Sequence, residues 1–414
     1  MFQHGDFARY MAGEAVSMTG TWMQVMAHAW VMTSLTTSAA MLGLVSFASG
    51  LPMLALALVG GVAADRFERR NILLVTQVVQ IGLAVLLGWL VARELVQVWH
   101  VLCVAFLLGI SNSFEMPAAT SLVPELVPRD QVASAIAVDR SVFHGTRLIG
   151  PALGGYAVGQ LGTASAFFLN ALSFVALIAA LLTIRPRPQP TSEKADRRSG
   201  IREGLKYVWS DSPTLAMIGL MAATTFFLFP VMAVMLPLYA RNELSLGPDR
   251  MGLLMGISGL GSLTGSVGLL AVPRSKRRLW MWGGLGLASL ALLSLGLGRA
   301  FGLAAVSLAT LTLGSSTLIG LANTVVQERA PSPLRGRVSA VAGLSFFGLM
   351  PFASLGVTTV ADVIGMRASL VGSSVLYAVL ATLVLWHGGT ERKEAAKQRR
   401  PSLGSLPVEP PGPH

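Results

Sequence analysis

The sequence predicts an all-helical membrane protein with twelve transmembrane helices in two pseudo-symmetric six-helix halves. Three observations indicate this fold class. Of the 414 residues, 53% are hydrophobic and only 12% are charged, with a mean hydropathy of +0.64, which is too apolar for an ordinary soluble domain. Twelve apolar segments reach roughly 20 residues, the length that crosses the hydrocarbon core of a bilayer. One polar segment, residues 185–213, separates the first six from the last six.

The twelve apolar segments follow one another with short polar connections. Because their number is even, both termini are expected on one side of the membrane. The predicted ranges are residues 9–33, 39–63, 71–92, 98–118, 133–159, 163–184, 214–240, 250–272, 279–298, 301–326, 338–361 and 367–387.

Basic residues are distributed unequally between the two sides of this scheme. Of the 31 Lys and Arg residues, 24 lie on the side of the termini and 5 on the opposite side, while Arg140 and Arg147 fall within predicted helix five. The positive-inside rule then places both termini in the cytoplasm. The net charge of +11 is therefore a topology signal, and nucleic acid is not an expected partner. Arginine-rich cytoplasmic loops fit the inner membrane of a bacterium.

The connections divide the chain into four parts. Residues 1–184 form the first six-helix half, 185–213 a cytoplasmic linker, 214–388 the second half, and 389–414 a tail that is predicted to be disordered because it is polar and ends in prolines. Within the linker, Ile201, Leu205, Val208 and Trp209 share one helical face. This spacing predicts a short amphipathic helix at the cytoplasmic surface of the membrane.

A short charged connection joins predicted helices two and three. It contains Gly61, Asp65, Arg66, Arg69 and Arg70. The spacing resembles the loop pattern Gly-x-x-x-Asp-Arg-x-Gly-Arg-Arg of the major facilitator superfamily, with Glu68 where that pattern has glycine. The resemblance implies a secondary transporter in which Asp65 and Arg66 hold the first half against predicted helix eleven and close the cytoplasmic side. A simple topology anchor would explain the arginines but neither Asp65 nor Gly61.

The resemblance extends along residues 7–385. Residues 122–128, 147–155 and 327–338 look like the enterobactin-exporter-like branch of the superfamily, which exports siderophores or drugs. Residues 273–278 lie between predicted helices eight and nine, at the position in the second half that corresponds to residues 65–70 between predicted helices two and three. Such repetition is what the superfamily's two-half fold implies. The second copy lacks the acidic residue and the glycine.

Predicted helix five carries a second motif. Its residues Gly150, Pro151, Gly154 and Gly155 are similar to a pattern that the family associates with antiport. Proline removes a backbone donor and glycines allow close helix contact, so helix packing alone is the alternative interpretation.

Ionisable residues inside a membrane are costly and are functional candidates by default. The proton-coupling candidates are Glu14, Asp139 and Glu115. The substrate-cavity candidates are Gln24, His28, Arg140, His144, Arg147, Phe226 and Asn323. Two interpretations remain open. Either the arginines pair permanently with these carboxylates, or a carboxylate takes up a proton and releases an arginine to meet an anionic or catechol-like substrate.

These observations predict a transporter that exports a small amphipathic molecule, drug-like or siderophore, by proton antiport with alternating access. An importer and a non-transporting receptor or assembly factor on the same fold are the alternatives. The sequence contains neither the Gly-rich phosphate loop of an ATPase nor a His-Glu-x-x-His zinc motif, so no enzyme, cofactor or metal is predicted. The expected partners are a small-molecule substrate, protons and the lipid bilayer, and the expected state is a monomer.

The charge asymmetry generates a topology prediction. Reporters fused after Gly200 and at the C-terminus are expected to be cytoplasmic, whereas one near Asn242 is expected to be external. Paired phosphatase and fluorescent-protein fusions measure this in whole cells. An external C-terminus would mean that the number of spans is odd.

Overall fold

The computed structural model describes residues 5–184 and 197–398, and the side chains of 5–184 and 202–386. The described residues form thirteen helices joined by short connections. They are α1 Gly5–Leu35, α2 Ala39–Arg66, α3 Arg69–Ala92, α4 Val98–Leu126, α5 Val132–Leu161, α6 Thr163–Thr183, α7 Arg197–Ser210, α8 Ser212–Glu243, α9 Pro248–Ala271, α10 Arg274–Leu297, α11 Phe301–Arg329, α12 Arg335–Ile364 and α13 Met366–Gln398.

Ten of the described helices are long and apolar enough to cross a membrane, so this is a multi-pass, all-helical membrane protein. The other long helices, α1 with 31 residues and α5 with 30, fall outside those ten. Helix α1 carries Glu14, and α5 carries Asp139, Arg140 and Arg147, which are among the ionisable residues selected from the sequence. Each of the twelve predicted ranges corresponds to one helix, and most ends agree within a few residues.

Two predicted boundaries were wrong. The connection between α2 and α3 is only Phe67 and Glu68, so Asp65 and Arg66 lie in the last turn of α2 and Arg69 begins α3. The tail was expected to be disordered from residue 389, yet α13 continues to Gln398. Residues 389–398 are rich in Glu, Lys, Arg and Ala, which favour helix. Residues 399–414 and most of the linker, 185–196, lie outside the described residues.

Helix α8 passes through two π-helical turns. They span Val231–Met235 and Tyr239–Glu243, after Pro230 and close to Pro237. Proline cannot donate the regular helical hydrogen bond, so the backbone widens locally to satisfy its neighbours. A third π-turn, Leu344–Gly348, interrupts α12 before Pro351.

One end of the bundle, the Phe7 face, contains the start of α1, the α2–α3 connection and the end of α6. Phe7, Leu73, Leu122 and Leu181 are buried together there. In the later helices, Asp211 caps α8 at this face. Its carboxylate accepts hydrogen bonds from the Arg329 guanidinium at 2.8 and 2.5 Å and from the Thr214 amide at 3.2 Å.

The Arg329 contact dominates the electrostatics of Asp211. The hydrogen bond from Arg329, helped by those from Thr214, lowers the pKa of the Asp211 carboxyl. A lowered carboxyl pKa means that this capping contact is fully formed at neutral pH. The stabilisation is lost only as the pH falls through the pKa of the folded state.

Helix α7 lies against the start of α12. Its Gly204 contacts the backbone of Arg337, Glu203 forms an ion pair with Arg337, and the Tyr207 hydroxyl donates to the Arg329 carbonyl at 2.9 Å. The predicted short helix is therefore present. Its apolar face is divided, since Val208 is buried whereas Leu205 and Trp209 are exposed, and the Ile201 side chain is outside the described residues.

Two helix pairs join residues 5–184 to residues 212–386. Helix α5 packs on α9, and α2 packs on α12. A close backbone approach occurs at Gly155 and Gly252, where a Cβ atom on Gly252 would lie 2.9 Å from the Gly155 Cα and would overlap the Pro151 carbonyl. Glycine at both positions lets the two backbones touch.

Several of the polar contacts described between these two sets of helices lie at the opposite end of the bundle, the Ser38 face. The Asp362 carboxylate of α12 accepts hydrogen bonds from the Ala39 amide at 2.6 Å, the Ala40 amide at 3.1 Å and the Ser38 hydroxyl. It therefore caps the first turn of α2 from another part of the chain. Beside it, Arg241 donates to the Thr33 hydroxyl at 3.2 Å.

The glycine contact generates a stability prediction. Gly252→Val is expected to lower the melting temperature of the purified protein by several degrees, because the new side chain must push α5 and α9 apart. Gly286→Val is the control, since Gly286 is an exposed helical glycine with open space around it. Equal melting temperatures for the two variants would contradict the prediction.

Candidate functional site

A cavity of about 290 Å³ lies between the first five helices, towards the Phe7 face. We call it the carboxylate cavity. All three carboxylates that the sequence analysis selected line it, together with Arg140. Its main polar residues are Glu14, Ser17, Thr21, Gln80, Asn112, Glu115, Thr120, Asp139 and Arg140. Methionine and aromatic side chains, including Met53 and Phe143, complete the wall.

Glu14 lies on the side of α1 that faces this cavity and is only 7% exposed. Its carboxylate forms a hydrogen bond with the Tyr10 hydroxyl, one helical turn earlier. The i, i+4 spacing on a helix makes this contact possible. Tyr10 itself is almost completely buried.

Glu115 is held by two glutamines of α3. The Gln77 amide donates to its carboxylate at 2.8 Å, and the Gln80 amide donates to the other oxygen. Gln80 also contacts the Ser111 hydroxyl at 3.2 Å. The sequence analysis missed both glutamines, although their i, i+3 spacing in an otherwise apolar helix was a usable signal.

Among the described charges that line the carboxylate cavity, ion pairing is limited to Asp139 and Arg140, which are neighbours in the chain. The Arg140 Nε and an Asp139 carboxylate oxygen are 3.9 Å apart, at adjacent positions of α5, and the Arg140 side chain is half exposed. Within the described residues, Glu14, Glu115 and Arg147 form no ion pair. Three of the intramembrane charges that could have been structural bridges therefore stand apart from opposite charges.

A second cavity of about 290 Å³, the histidine cavity, adjoins the first and shares Thr21, Val25, Gln80 and Asn112 with it. Two predicted residues line it. The Gln24 carbonyl accepts a hydrogen bond of 2.7 Å from the Asn170 amide, and the His28 ring packs edge-on against Phe167 at 5.2 Å. The His28 Nε2 atom is buried and has no hydrogen-bond partner among the residues that the structure describes.

Arg147 points away from both and lines a third, smaller cavity of about 90 Å³, the Arg147 cavity. Its guanidinium lies over the Trp22 ring at 5.5 Å. The remaining wall comes from α8, α9, α11 and α12. Its polar members are Thr224, Thr225, Ser262, Thr312, Ser315 and Ser316. The sequence analysis selected Arg147 but missed Trp22 and Thr225.

Three predicted cavity residues are absent from the linings of these three cavities. His144 packs edge-on against Phe143 at 5.5 Å, and Phe226 packs against Phe227 at 5.1 Å. Asn323 is exposed. The structure does not bring these three to the cluster of polar groups, and substrate contact by them stays a prediction.

The charged motif around Asp65 lies at the Phe7 face, where its arginines contact the first six helices. Arg69 forms an ion pair with Glu125 of α4, and Arg70 donates to the Leu181 carbonyl at 2.5 Å and the Leu182 carbonyl at 3.0 Å. Asp65 and Arg66 are exposed, and Gly61 is partly buried. A gating role for Asp65 stays a prediction.

The glycine-proline motif packs α5 on two neighbours. Gly150 contacts Trp22 and Gly154 contacts Met23, both on α1, while Pro151 and Gly155 contact Gly252 on α9. Helix α5 runs without interruption through Pro151. This packing agrees with the simpler interpretation of the motif and leaves its role in antiport a prediction.

Comparison with known proteins gives one family and several relatives. The family model for transmembrane secretion effectors matches residues 2–405. The multidrug efflux pump Tap of Mycobacterium tuberculosis (strain ATCC 25618 / H37Rv) is 29% identical over 388 residues, which are 88% of this chain and 87% of that protein. The Tap pump of Mycolicibacterium fortuitum is 25% identical over 394 residues, 92% of this chain and 94% of that protein.

A solved structure shares the fold. It is a bacterial homolog of the human lysosomal transporter Spinster, in an inward-facing and unoccupied conformation. The TM-score is 0.73 at 14% identity, over 94% of this chain and 97% of that one.

The exposed acid at the Phe7 face generates a prediction. Asp65→Asn is expected to reduce transport of ethidium, used as a probe, at least about tenfold while the protein still folds and inserts, because a loss of about 1.4 kcal/mol from one conformer changes conformer ratios tenfold. Glu68→Gln removes a neighbouring exposed charge and is the control. Uptake into inverted vesicles measures both, and wild-type rates for Asp65→Asn would reduce the motif to a topology anchor.

Proposed function

This chain belongs to the transmembrane secretion effectors, a family of the major facilitator superfamily, and on that premise we propose that it exports small amphipathic compounds in exchange for protons. It is a membrane transporter and not an enzyme. The proposal adds a direction, a coupling ion and a substrate class to that assignment.

The proposed topology has twelve spans. Helices α1 and α5 join the ten apolar spans, because each is long enough and places its ionisable residues towards the protein interior. The two domains are residues 1–184 and 214–388, with 185–213 as the cytoplasmic linker. The Phe7 face is then cytoplasmic, and the protein acts as a monomer in the inner membrane.

Export of drug-like compounds is supported by the efflux pumps among the relatives. Two adjoining cavities of about 290 Å³ each, lined by methionine, aromatic and a few polar groups, suit an amphipathic molecule of drug size. Siderophore export and membership of the enterobactin-exporter-like branch remain alternatives within the same proposal.

The observation that carries proton coupling is the lack of arginine partners for Glu14 and Glu115 within the described structure. A carboxylate that has only hydroxyl or amide neighbours can gain or lose a proton without leaving an arginine unpaired. The same carboxylates line the cavity that is large enough for substrate. Binding of a substrate there and binding of a proton there are therefore coupled through one site.

Glu14 and Asp139 are better candidates than Glu115. Two glutamine amides donate to Glu115, one to each carboxylate oxygen, so both oxygens already have protein partners. Glu14 has one tyrosine hydroxyl as its partner, and Asp139 is a quarter exposed beside Arg140. Each lines the cavity, so its protonation state affects a substrate that is bound there.

The contacts between the helix sets support an inward-facing state. Asp362 with the start of α2, and Gly155 with Gly252, join the sets between mid-membrane and the Ser38 face. The carboxylate cavity lies on the other side of these contacts. In an alternating-access cycle the Ser38 contacts separate when the Phe7 face closes.

Import and a non-transporting role are the alternatives. An importer would drive the same substrate towards the Phe7 face when a proton gradient is applied. A receptor on this fold would bind ligand but move nothing, and it would have little use for unpaired intramembrane carboxylates.

Proton coupling generates the next prediction. In inverted vesicles with an acidic lumen, Glu14→Gln and Asp139→Asn are each expected to abolish ethidium-induced proton release, because the amides cannot titrate. At least one variant is expected to bind ethidium still, since the amide mimics the protonated acid. Quenching of a lumenal pH dye measures proton release.

Glu94→Gln is the matched control, because Glu94 is an exposed carboxylate at the end of α3. It is expected to behave as wild type, and Glu115→Gln is expected to have a smaller effect than the other two cavity variants. Full proton-coupled flux in both Glu14→Gln and Asp139→Asn would contradict coupling at these residues. Ethidium accumulation that ignores a protonophore would contradict antiport itself.

A further inference from the structure

We propose that the Arg147 cavity binds the carboxylate of a substrate, so that, of two compounds with one shape, the transporter prefers the one that carries a carboxylate. This inference deepens the proposed export function and rests on it. The carboxylate cavity would hold the apolar body, and the Arg147 cavity would hold one acidic substituent.

Arg147 is a cation that has no paired anion in the described part of the structure. Its guanidinium offers five N–H donors, and no carboxylate of the described residues pairs with it. The Trp22 ring beneath it stabilises the cation but supplies no hydrogen-bond acceptor of comparable strength. A cation that is partly buried within a membrane protein and lacks an anion is a candidate site for binding one.

The hydroxyl groups that line the same cavity include one without a hydrogen-bond partner. Most hydroxyls there are already engaged: Thr224 donates to the Leu220 carbonyl at 2.8 Å, and Ser262 and Ser316 pair at 2.9 Å. The Thr225 hydroxyl is the exception, for it is 1% exposed and has no hydrogen-bond partner within the described protein. A buried hydroxyl without a partner costs stability, which a ligand oxygen would restore.

The charge of the lining and the volume of the Arg147 cavity both suit a small anion. The residues that line the Arg147 cavity include no aspartate or glutamate, so nothing there opposes an incoming anion. A volume of about 90 Å³ equals the liquid volume of about three water molecules. That space suits a carboxylate and not a whole drug-sized compound.

One side chain lies next to both cavities. Trp22 lines the carboxylate cavity on one side and contacts the Arg147 guanidinium on the other. Arg147 comes from α5, and Thr225 comes from α8 in the other set of helices. A carboxylate that accepts from both would bridge the two sets, so its affinity depends on how they are oriented.

The test uses a probe pair of one shape and different charge, tritiated 2-naphthoate and neutral 2-naphthamide. Scintillation proximity with the purified full-length protein measures the affinity for each. Wild type is expected to prefer naphthoate at least about tenfold, the range of a hydrogen-bonded charge pair. Arg147→Gln is expected to abolish the preference, and Arg147→Lys to retain part of it.

Thr225→Val tests the second donor without removing a charge. It is expected to weaken naphthoate binding about three- to tenfold and to leave naphthamide binding unchanged. It also keeps the test decisive if Arg147→Gln fails to fold. Arg278→Gln is the control, because Arg278 is exposed and far along the chain from these cavities.

Several outcomes would overturn the proposal. They are equal binding of the two probes by wild type, no binding of either, or a preference that survives Arg147→Gln and Thr225→Val. Proton-driven ethidium efflux, measured in parallel, reports on the proposed function alone. Efflux without a naphthoate preference refutes the acidic subsite and leaves the exporter standing, whereas loss of wild-type efflux refutes the exporter.

Discussion

The backbone contact between Gly155 and Gly252 is the constraint on which the arrangement of the site depends. It brings α5 and α9 so close that no side chain fits between them. Helix α5 also packs through Gly150 and Gly154 on α1, so the same helix is fixed on two sides. Its remaining surface then has one orientation, in which Asp139 and Arg140 face one cavity and Arg147 another. Packing by the smallest residue thus determines where the charges point.

The charges are stabilised mainly by neutral partners. Tyr10 supports Glu14, two glutamine amides support Glu115, and the Trp22 ring supports Arg147. Neutral donors and aromatic faces reduce the cost of burying a charge without cancelling it. A direct arginine-carboxylate pair would have cancelled the charges against one another and left little electrostatic attraction for a ligand. The present arrangement keeps each charge available to the cavity that it lines.

Sequence patterns predicted the helices well because crossing a bilayer demands a certain length of apolar chain. They also selected Glu14, Glu115, Asp139 and Arg140, since a charge in such a segment is conspicuous. The sequence patterns did not predict the contacts between helices. Membrane helices are apolar on most sides, so the sequence does not show which side of a helix faces its neighbours. The roles of Gln77, Gln80 and Thr225 could therefore be recognised only from their contacts in the structure. Asp362 was missed for the same reason, because its partners are backbone amides more than 300 residues away.

The Asp362 contact has a consequence for how this protein can diverge. Two of its three donors are backbone amides, of Ala39 and Ala40, which every amino acid except proline supplies. Substitutions at those two positions that the surrounding packing accepts, which at the buried Ala39 means small residues, therefore preserve the hydrogen bonds, whereas an apolar substitution of Asp362 removes all of them at once. The contact therefore tolerates substitutions on its α2 side but not at Asp362 of α12. Among homologues, we expect variable residues opposite one constant acid.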